Sequence, residues 1–563
     1  MMLCLLSCSN YFKLMAALRR TANFKPSIWD DSYIQSLQEY YTEEKYVIRR
    51  EWLKEQVKFF ITKTKSTIEQ LELINALGQL GVAYLFELEI KNMLSSISSS
   101  IETIITDMEE SIDLHGIALL FRLFRVYGDL QGSQLSLKSL VRSIKSESMI
   151  FKANIEQDIK GLLSVYEASH LAFEGDDELD EAGEFAAEKL RELRKNSSLD
   201  PKLGEQIDYA LEIPLHWRVP RFHARWFIDF HSNQKKIDSN LLELAKLDYN
   251  RIQSLYKNEL KELSRWWKDL GLVCEKLGFA RNRPVENYLW ALGSAYEPQF
   301  WRIRKENFKL NCVVVVIDDI YDVFGTLDEL ELFTNAIERW IIAPELPEYM
   351  KICLLAFFNT VDDIANKILL EKGLHIQLYL RQSCVDVCKA YFKEARWYHG
   401  GHNPNLHEYL ENAWISIAAI IVLTEAYCLS DDLTAEALQN FKFYPDVVLH
   451  SSILIRLYND LGTLSAEMQR GDVSKSVQCY MNDKNVSESD ARKYIKRILI
   501  RKHWKALNET LAANPNLLGS FKTGLLGLPQ MSQFLYQSGD GFADPNFETH
   551  NRVIKFLIEP IPL

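Results

Sequence analysis

No proline occurs between Pro26 and Pro201. Proline costs about 3 kcal/mol inside a helix and is welcome in turns, so so long an absence predicts helix after helix. The apolar spacing agrees: Phe86, Ile90, Met93, Ile97, Ile101, Ile104, Met108 and Ile112 recur at threes and fours, the period of a buried helical face. Pro201, Pro214 and Pro220 then cluster before a second helical stretch from about Asn240. The chain is therefore expected to be all-α, in two helical domains at 19–225 and 226–563, with no internal repeat. Val313 to Ile317 is the one segment whose β-branched run would also suit a buried strand, with Asp318 and Asp319 at its carboxyl end. No βαβ alternation surrounds it and no Gly-rich phosphate loop follows, so the helical reading is preferred.

With 65 basic against 77 acidic residues the formal charge is −12, which argues against a general nucleic-acid binder. A hydrophobic share of 47% with 25% charged residues excludes wholesale disorder. No run of 18 apolar residues exists; Ile415 to Leu423 is the longest of note, so no membrane span is expected. The nine cysteines form no CxxC pair and no cluster with histidine, which predicts reduced thiols and no zinc site; Cys384 and Cys388 share a helical face and are expected in the core. Met1 to Leu18 carries Lys13 as its single charge, and no acidic residue precedes Trp29. That leader suits an organelle transit segment in lacking acids, but it is short and apolar rather than rich in Ser and Arg.

Three carboxylates stand close in sequence at Asp318-Asp319-Ile320-Tyr321-Asp322, a DDxxD motif. On a helix Asp318 and Asp322 share one face a turn apart, with Asp319 beside them. Their mutual repulsion calls for a cation, and Mg²⁺ suits hard oxygen ligands while keeping positions for water and phosphate. A solvated acidic patch is the plainer reading, but apolar residues flank the motif on both sides. Asp362-Asp363 and Asp431-Asp432 lack a third partner and read as solvated faces. A second stripe, Asn459, Thr463 and Glu467, places an amide oxygen, a hydroxyl and a carboxylate at spacings of four. Alone it reads as an exposed helical face; beside the first motif it reads as a weak site completed by an anionic ligand. Arg281, Arg283, Arg456 and Lys475 offer cations for phosphate oxygens.

Taken together these residues resemble those of plant class I terpene synthases. Arg19-Arg20, eight residues and Trp29 resemble the RRx8W motif of the angiosperm monoterpene-synthase subfamily. Ile213-Pro-Leu-His-Trp-Arg-Val-Pro220 with Ala224-Arg-Trp-Phe227 resembles the family's join between its two domains, and Arg281-Asn-Arg283 stands where the family usually has RDR. Gly471-Asp-Val-Ser-Lys475 and Ser538-Gly-Asp-Gly-Phe542 extend the likeness over nearly the whole chain.

The resemblance implies an N-terminal α-barrel-like domain and a C-terminal class I terpenoid synthase α-bundle. It also implies a Mg²⁺- or Mn²⁺-dependent lyase acting on a prenyl diphosphate. Three ions would be held by Asp318, Asp319 and Asp322 opposite Asn459, Thr463 and Glu467, with Arg281, Arg283, Arg456 and Lys475 gripping the diphosphate. Trp290 and Tyr536 are candidate aromatic walls for the carbocation, Asn311 a candidate cavity amide, and Arg19, Arg20 and Trp29 a lid. No DxDD motif is present, and Asp176-Asp177-Glu178-Leu179-Asp180 has the wrong pattern for a protonating acid, so the N-terminal domain is expected to be non-catalytic. Three departures stand out: Asn282 between the arginines, Ala418-Ala419-Ile420 where the family often breaks a helix, and Pro529-Gln530 where it often has Ala-Arg. The expected substrate is geranyl diphosphate, giving a cyclic C10 product of limonene, cineole or terpineol type. The alternatives are an acyclic or sesquiterpene synthase of linalool, ocimene or nerolidol type using geranyl or farnesyl diphosphate, and an inactive helical scaffold or binding protein. A chain-elongating prenyltransferase would carry two aspartate-rich motifs. A monomer in the plastid is expected, with a dimer and the cytosol as alternatives.

Overall fold

The computed structural model describes residues 19–145, 157–232, 234, 237–441 and 445–563. The leader, residues 1–18, lies outside the described residues. Every regular element among the described residues is helical. Two compact units form, and each is discontinuous in sequence. Of the described residues, one gathers 19–37, Asn258–Ile500 and Leu518–His550; the other gathers Gln38–Lys257, Arg501–Leu517 and Asn551–Leu563.

In the second of these units, short helices begin where a side chain can cap them. Asp113 accepts from the amide of Gly116 at the start of Leu114–Tyr127, Asp158 from that of Gly161 at the start of Ile159–Ser169, and Asp200 precedes Pro201 at a first helical turn. The apolar series read between 86 and 112 forms two helices, Glu87–Ser98 and Ile101–Glu110, separated at Ser99-Ser100. Phe86, Ile90, Met93, Ile97, Ile101 and Met108 are buried, but Ile112 lies past the helix end, exposed and at positive φ. The acidic run at 176–180 is spent on ion pairs: Arg125 donates to Asp176, and Arg501 and Lys505 to Asp180.

Eight helices of the first unit carry the site: α1 (Pro284–Ser294), α2 (Trp301–Asp319), α3 (Gln377–Gly400), α4 (Leu406–Ser416), α5 (Ala419–Leu429), α6 (Asp446–Arg470), α7 (Ser476–Lys484) and α8 (Gly519–Tyr536). The Val313 to Ile317 run lies within α2, so it is helical. β-branched residues disfavour a helix by only tenths of a kcal/mol each, and burial of Val313, Val316 and Ile317 outweighs that. Beyond Asp319 the helix widens into a π turn, Ile320–Phe324, closed by Gly325 N–H to Ile320 O at 2.8 Å.

Two of the sequence departures acquire physical accounts. Pro529 sits inside α8, where it cannot donate to the carbonyl of Leu525; the Ser451 hydroxyl donates to that carbonyl instead, at 2.8 Å. Between α4 and α5 the chain breaks at Ala418, which adopts a left-handed conformation (φ 63°). No single helix among the described residues is long and apolar enough to cross a membrane; the bent pair α4 and α5 reaches that standard only when joined. Every residue of α5 is buried, so its apolar character serves the core. Cys384 and Cys388 are likewise buried and free, and burial pushes both thiols up. Asp362 is not the solvated face expected of it: Arg381 and Gln377 both donate to its carboxylate.

Candidate active site

The cavity of the first unit is walled by α1, α2, α3, α6 and α8 and floored by the α4–α5 break. Arg281, Trp290, Asn311, Asp318, Asp322, Arg456, Asn459, Thr463, Glu467, Lys475 and Tyr536 all line it. Close backbone packing sets the aromatic wall: a Cβ on Gly527 would lie 2.0 Å from the Gly293 carbonyl oxygen, so α8 and α1 meet as only glycine allows. That contact brings Trp290 and Tyr536 to a ring separation of 6.3 Å. Gly462, inside the Asn/Thr/Glu stripe, leaves room for Tyr536; a Cβ there would lie 2.8 Å from the tyrosine's own.

The carboxylates at the end of α2 divide their work. Asp319 is fully buried, and both its oxygens are taken by Arg281: the backbone N–H donates at 2.7 Å and Nε at 2.9 Å. Burial pushes its carboxyl up to about 6, against the pull of Arg281. Asp318 also accepts from Arg281, at 2.5 Å, but its side chain keeps 26% exposure, and Asp322 opens to the cavity. Asp319 lines the cavity with the other two, its oxygens engaged by Arg281. Asp319 orients Arg281, which leaves Asp318 and Asp322 as the oxygens of this motif that could hold a cation.

Across the cavity, α6 presents its stripe as the spacing predicts. Asn459 Oδ1 accepts from Arg456 at 3.1 Å, and the Thr463 hydroxyl donates to the Asn459 carbonyl, which leaves its own lone pairs available. Glu467 Oε2 is buried without a hydrogen-bond partner, and burial pushes that carboxyl up to about 7. An orphaned buried carboxylate oxygen beside an amide and a hydroxyl is a hard-oxygen set short of positive charge, which fits a divalent ion. Among the described residues no three His, Cys, Asp or Glu side chains form a cage by themselves. Ions here would need oxygens from the ligand as well.

Two residues fall elsewhere than expected. Arg283 is 2% exposed and donates to the carbonyls of Phe542, Ala543 and Lys25, so it clamps the arm and the 542–543 loop rather than facing the cavity. With the Asn282 carbonyl, four of its five N–H groups are given to backbone oxygens. Asn282, the departure between the arginines, accepts from Trp267 Nε1 at 2.9 Å, a neutral role that needs no carboxylate. Trp29 does not reach the cavity; it is buried against His550, ring to ring at 4.8 Å.

The arm itself packs on the catalytic unit. Arg19 makes a two-pronged pair with Glu329 at 2.6 Å and donates to the Phe324 carbonyl at 3.1 Å. Glu329 is also the third residue of a capping box with Thr326, at the start of the helix that follows the DDxxD turn. Arg20 pairs with Asp472, donates to the Asp322 carbonyl at 2.8 Å and stacks on Tyr398. Phe24 lies under the Arg281 guanidinium at 4.9 Å and forms part of the cavity wall.

Residues 28–211 match the family model described as terpene synthase, N-terminal domain, and residues 268–506 that of the terpene synthase family, metal binding domain. The chain belongs to the terpene synthase family. This terpene synthase is 45% identical to monoterpene synthase 8, chloroplastic, of Hedychium coronarium, over 97% of its own length and 93% of the relative's. It is 43% identical to the (-)-alpha-terpineol synthase of Vitis vinifera, over 97% and 91%. Among solved structures it is similar to limonene synthase with 2-fluorolinalyl diphosphate (TM-score 0.91, 41% identity, 97% and 100% covered). It is similar also to grey poplar isoprene synthase with three Mg²⁺ ions and dimethylallyl-S-thiolodiphosphate (TM-score 0.84, 37% identity, 95% and 99% covered). The two-domain all-α fold and a divalent-metal-binding catalytic domain are therefore properties of this chain.

The sequence reading of the terpene synthase missed Phe24, Tyr391, Glu394, Asp472 and Asp540, all of which line the cavity. Tyr391 and Glu394 lie on α3, far from either acidic motif, and an isolated side chain on a mixed helix carries no spacing signal. Phe24 falls among the eight unspecified residues of the arm motif. Asp472 and Asp540 lay within quoted motifs, and their acidity was the available clue.

Proposed function

We propose that this terpene synthase is a monoterpene synthase that ionises geranyl diphosphate and cyclises the C10 cation, releasing diphosphate. The observation that carries the proposal is a single cavity with two chemistries: cations and unpaired oxygens at its mouth, apolar and aromatic side chains beneath. Asp318 and Asp322, facing Asn459, Thr463 and Glu467, are proposed to hold Mg²⁺ or Mn²⁺, three ions by family resemblance. Bound there, such ions stabilise the charge growing on the leaving diphosphate oxygen. Arg281, Arg456 and Lys475 are proposed to hold diphosphate oxygens by charge-assisted hydrogen bonds. The C1–O bond breaks with its electron pair leaving on the diphosphate, and the allyl cation remains over Trp290 and Tyr536, whose π-faces stabilise positive charge. Asn311 presents a buried amide Nδ2 with no hydrogen-bond partner to the same cavity, positioned to orient the substrate chain or a water molecule. The arm, with Arg19, Arg20 and Phe24, excludes water from the mouth, so the cation is not quenched before ring closure. A final proton passes to the released diphosphate, giving an olefin of the limonene type directly, or, where one water molecule admitted to the closed cavity first adds to the cyclised cation, an oxygenated product of the terpineol or cineole type.

Incubation of the purified protein with geranyl diphosphate and Mg²⁺, followed by chiral gas chromatography, is expected to yield a cyclic C10 volatile. Farnesyl diphosphate in a parallel reaction is expected to be the poorer substrate, and the reverse order would replace this reading. The functional division is proposed at 19–225 and 226–563; matches that end at 211 and begin at 268 support a boundary between them. Plastid residence is proposed because several relatives are named chloroplastic; a fluorescent fusion with and without residues 1–18 tests it. A monomer is proposed, to be checked by sedimentation.

A further inference from the structure

Glu394 is, like Asp319, a carboxylate of this cavity with hydrogen-bond donors on both oxygens. Its Oε1 accepts from the Ser416 hydroxyl and from Asn412 Nδ2 at 3.2 Å, and its Oε2 accepts from Lys475 Nζ at 3.2 Å. The Ser416 oxygen in turn accepts from Arg456 Nη2 at 3.2 Å. Its side chain is 6% exposed and that of Lys475 8%, so this is a buried ion pair with a second buried cation one hydroxyl away. Lys475 and Arg456 hold the Glu394 carboxyl below its usual range in spite of burial. The other carboxylates facing Lys475, Asp322 and Glu467, belong to the oxygen sets offered to divalent ions. Glu394, with three donors in place, is not.

A buried cation without a counter-charge is strongly destabilised; Glu394 supplies that charge to Lys475 directly, and adds to it at Arg456, which also pairs with the buried Asp460 at 3.7 Å. The same carboxylate stands beside the oxygens of any diphosphate that reaches Lys475, and it repels them at short range in a poorly solvated site. We propose that Glu394 is a positioning residue that holds Lys475 directly, and Arg456 through Ser416, and that competes with diphosphate for them, thereby setting how readily the product anion leaves. The inference rests on the proposed diphosphate site and adds a residue and a role to it.

The test is calorimetric titration of inorganic diphosphate, with Mg²⁺ present, into the wild type and Glu394→Gln, together with kcat and KM for geranyl diphosphate. Glu394→Gln is expected to bind diphosphate about tenfold more tightly or better, with KM and kcat both reduced. A purely structural role predicts the opposite sign, because a loosened Lys475 binds anions less well. Glu394→Asp keeps the charge but draws it a methylene away from Lys475, and is expected to tighten binding by a smaller factor; it serves if the glutamine variant does not fold. Unchanged or weaker diphosphate binding in either folded variant overturns the proposal. Failure of the wild type to bind diphosphate at all would instead remove the reading of the site itself.

Discussion

Asp318 and Asp319 are neighbours in sequence with opposite duties, and substitution separates them. Asp318→Asn or Asp322→Asn is expected to lower turnover by about a hundredfold or more with the helical circular dichroism unchanged, because a carboxylate proposed to meet the cation is lost. Chelation by EDTA is expected to abolish the wild-type activity and Mg²⁺ to restore it. Asp319→Asn leaves the site metals their oxygens but removes the charge opposite Arg281; its expected signature is a raised KM and a lowered melting temperature together. Arg283→Ala is expected to cost about 1–3 kcal/mol of stability, since it leaves the backbone carbonyls of Phe542, Ala543 and Lys25 short of a donor, and thermal melting measures it directly. Spacing put the right residue types on one helical face but could not tell which carboxylate a guanidinium would claim. That choice depends on the path of residues 281–283, which no periodicity encodes.

At the scale of elements, the α4–α5 break turns on one residue. Ala418 pays roughly 1–2 kcal/mol for its left-handed backbone, a cost glycine would not bear. Ala418→Gly is expected to keep or raise the melting temperature, whereas Ala418→Val, β-branched in that conformation, is expected to lower it. Because Ala418 lines the cavity, the valine variant is also expected to shift the product ratio, read by gas chromatography. The helices themselves were legible in the proline gap and the apolar period. Their ends were less so: the stop at Ser99-Ser100 splits a series that reads as continuous, and the π turn after Asp319 leaves no mark in the sequence. The β-branched run in α2 shows burial overruling propensity, and Pro529 shows a neighbouring helix repairing a missing backbone bond.

For the whole molecule, a net charge of −12 gives no hint of an anionic ligand, because the cations that matter are concentrated in one cavity and the acids there face them. Charge also acts on stability within the other unit. His170 is buried, its Nδ1 bonded to the Tyr166 carbonyl at 2.8 Å, and burial pushes it down to about 3. The unfolded chain takes up its proton near pH 6.5 while the folded chain does not, so this stability is intact above that pH. It falls as the pH drops from about 6.5 toward 3, by up to about 1.4 kcal/mol per pH unit. Urea denaturation at pH 7, 6 and 5 is expected to show the decline, and His170→Gln to lessen it, His216 and His223 being buried and pushed down as well. The partition of the chain has a different consequence, for heredity rather than energy. Residues 19–37 pack with 258–500, although some two hundred residues intervene. A crossover near 225 between two related genes would thus pair the arm of one parent with the reaction chamber of the other. Compatibility then depends on whether Arg19 still meets a partner like Glu329, and Arg20 one like Asp472; recombination that carries the first 37 residues along with the C-terminal half avoids that mismatch.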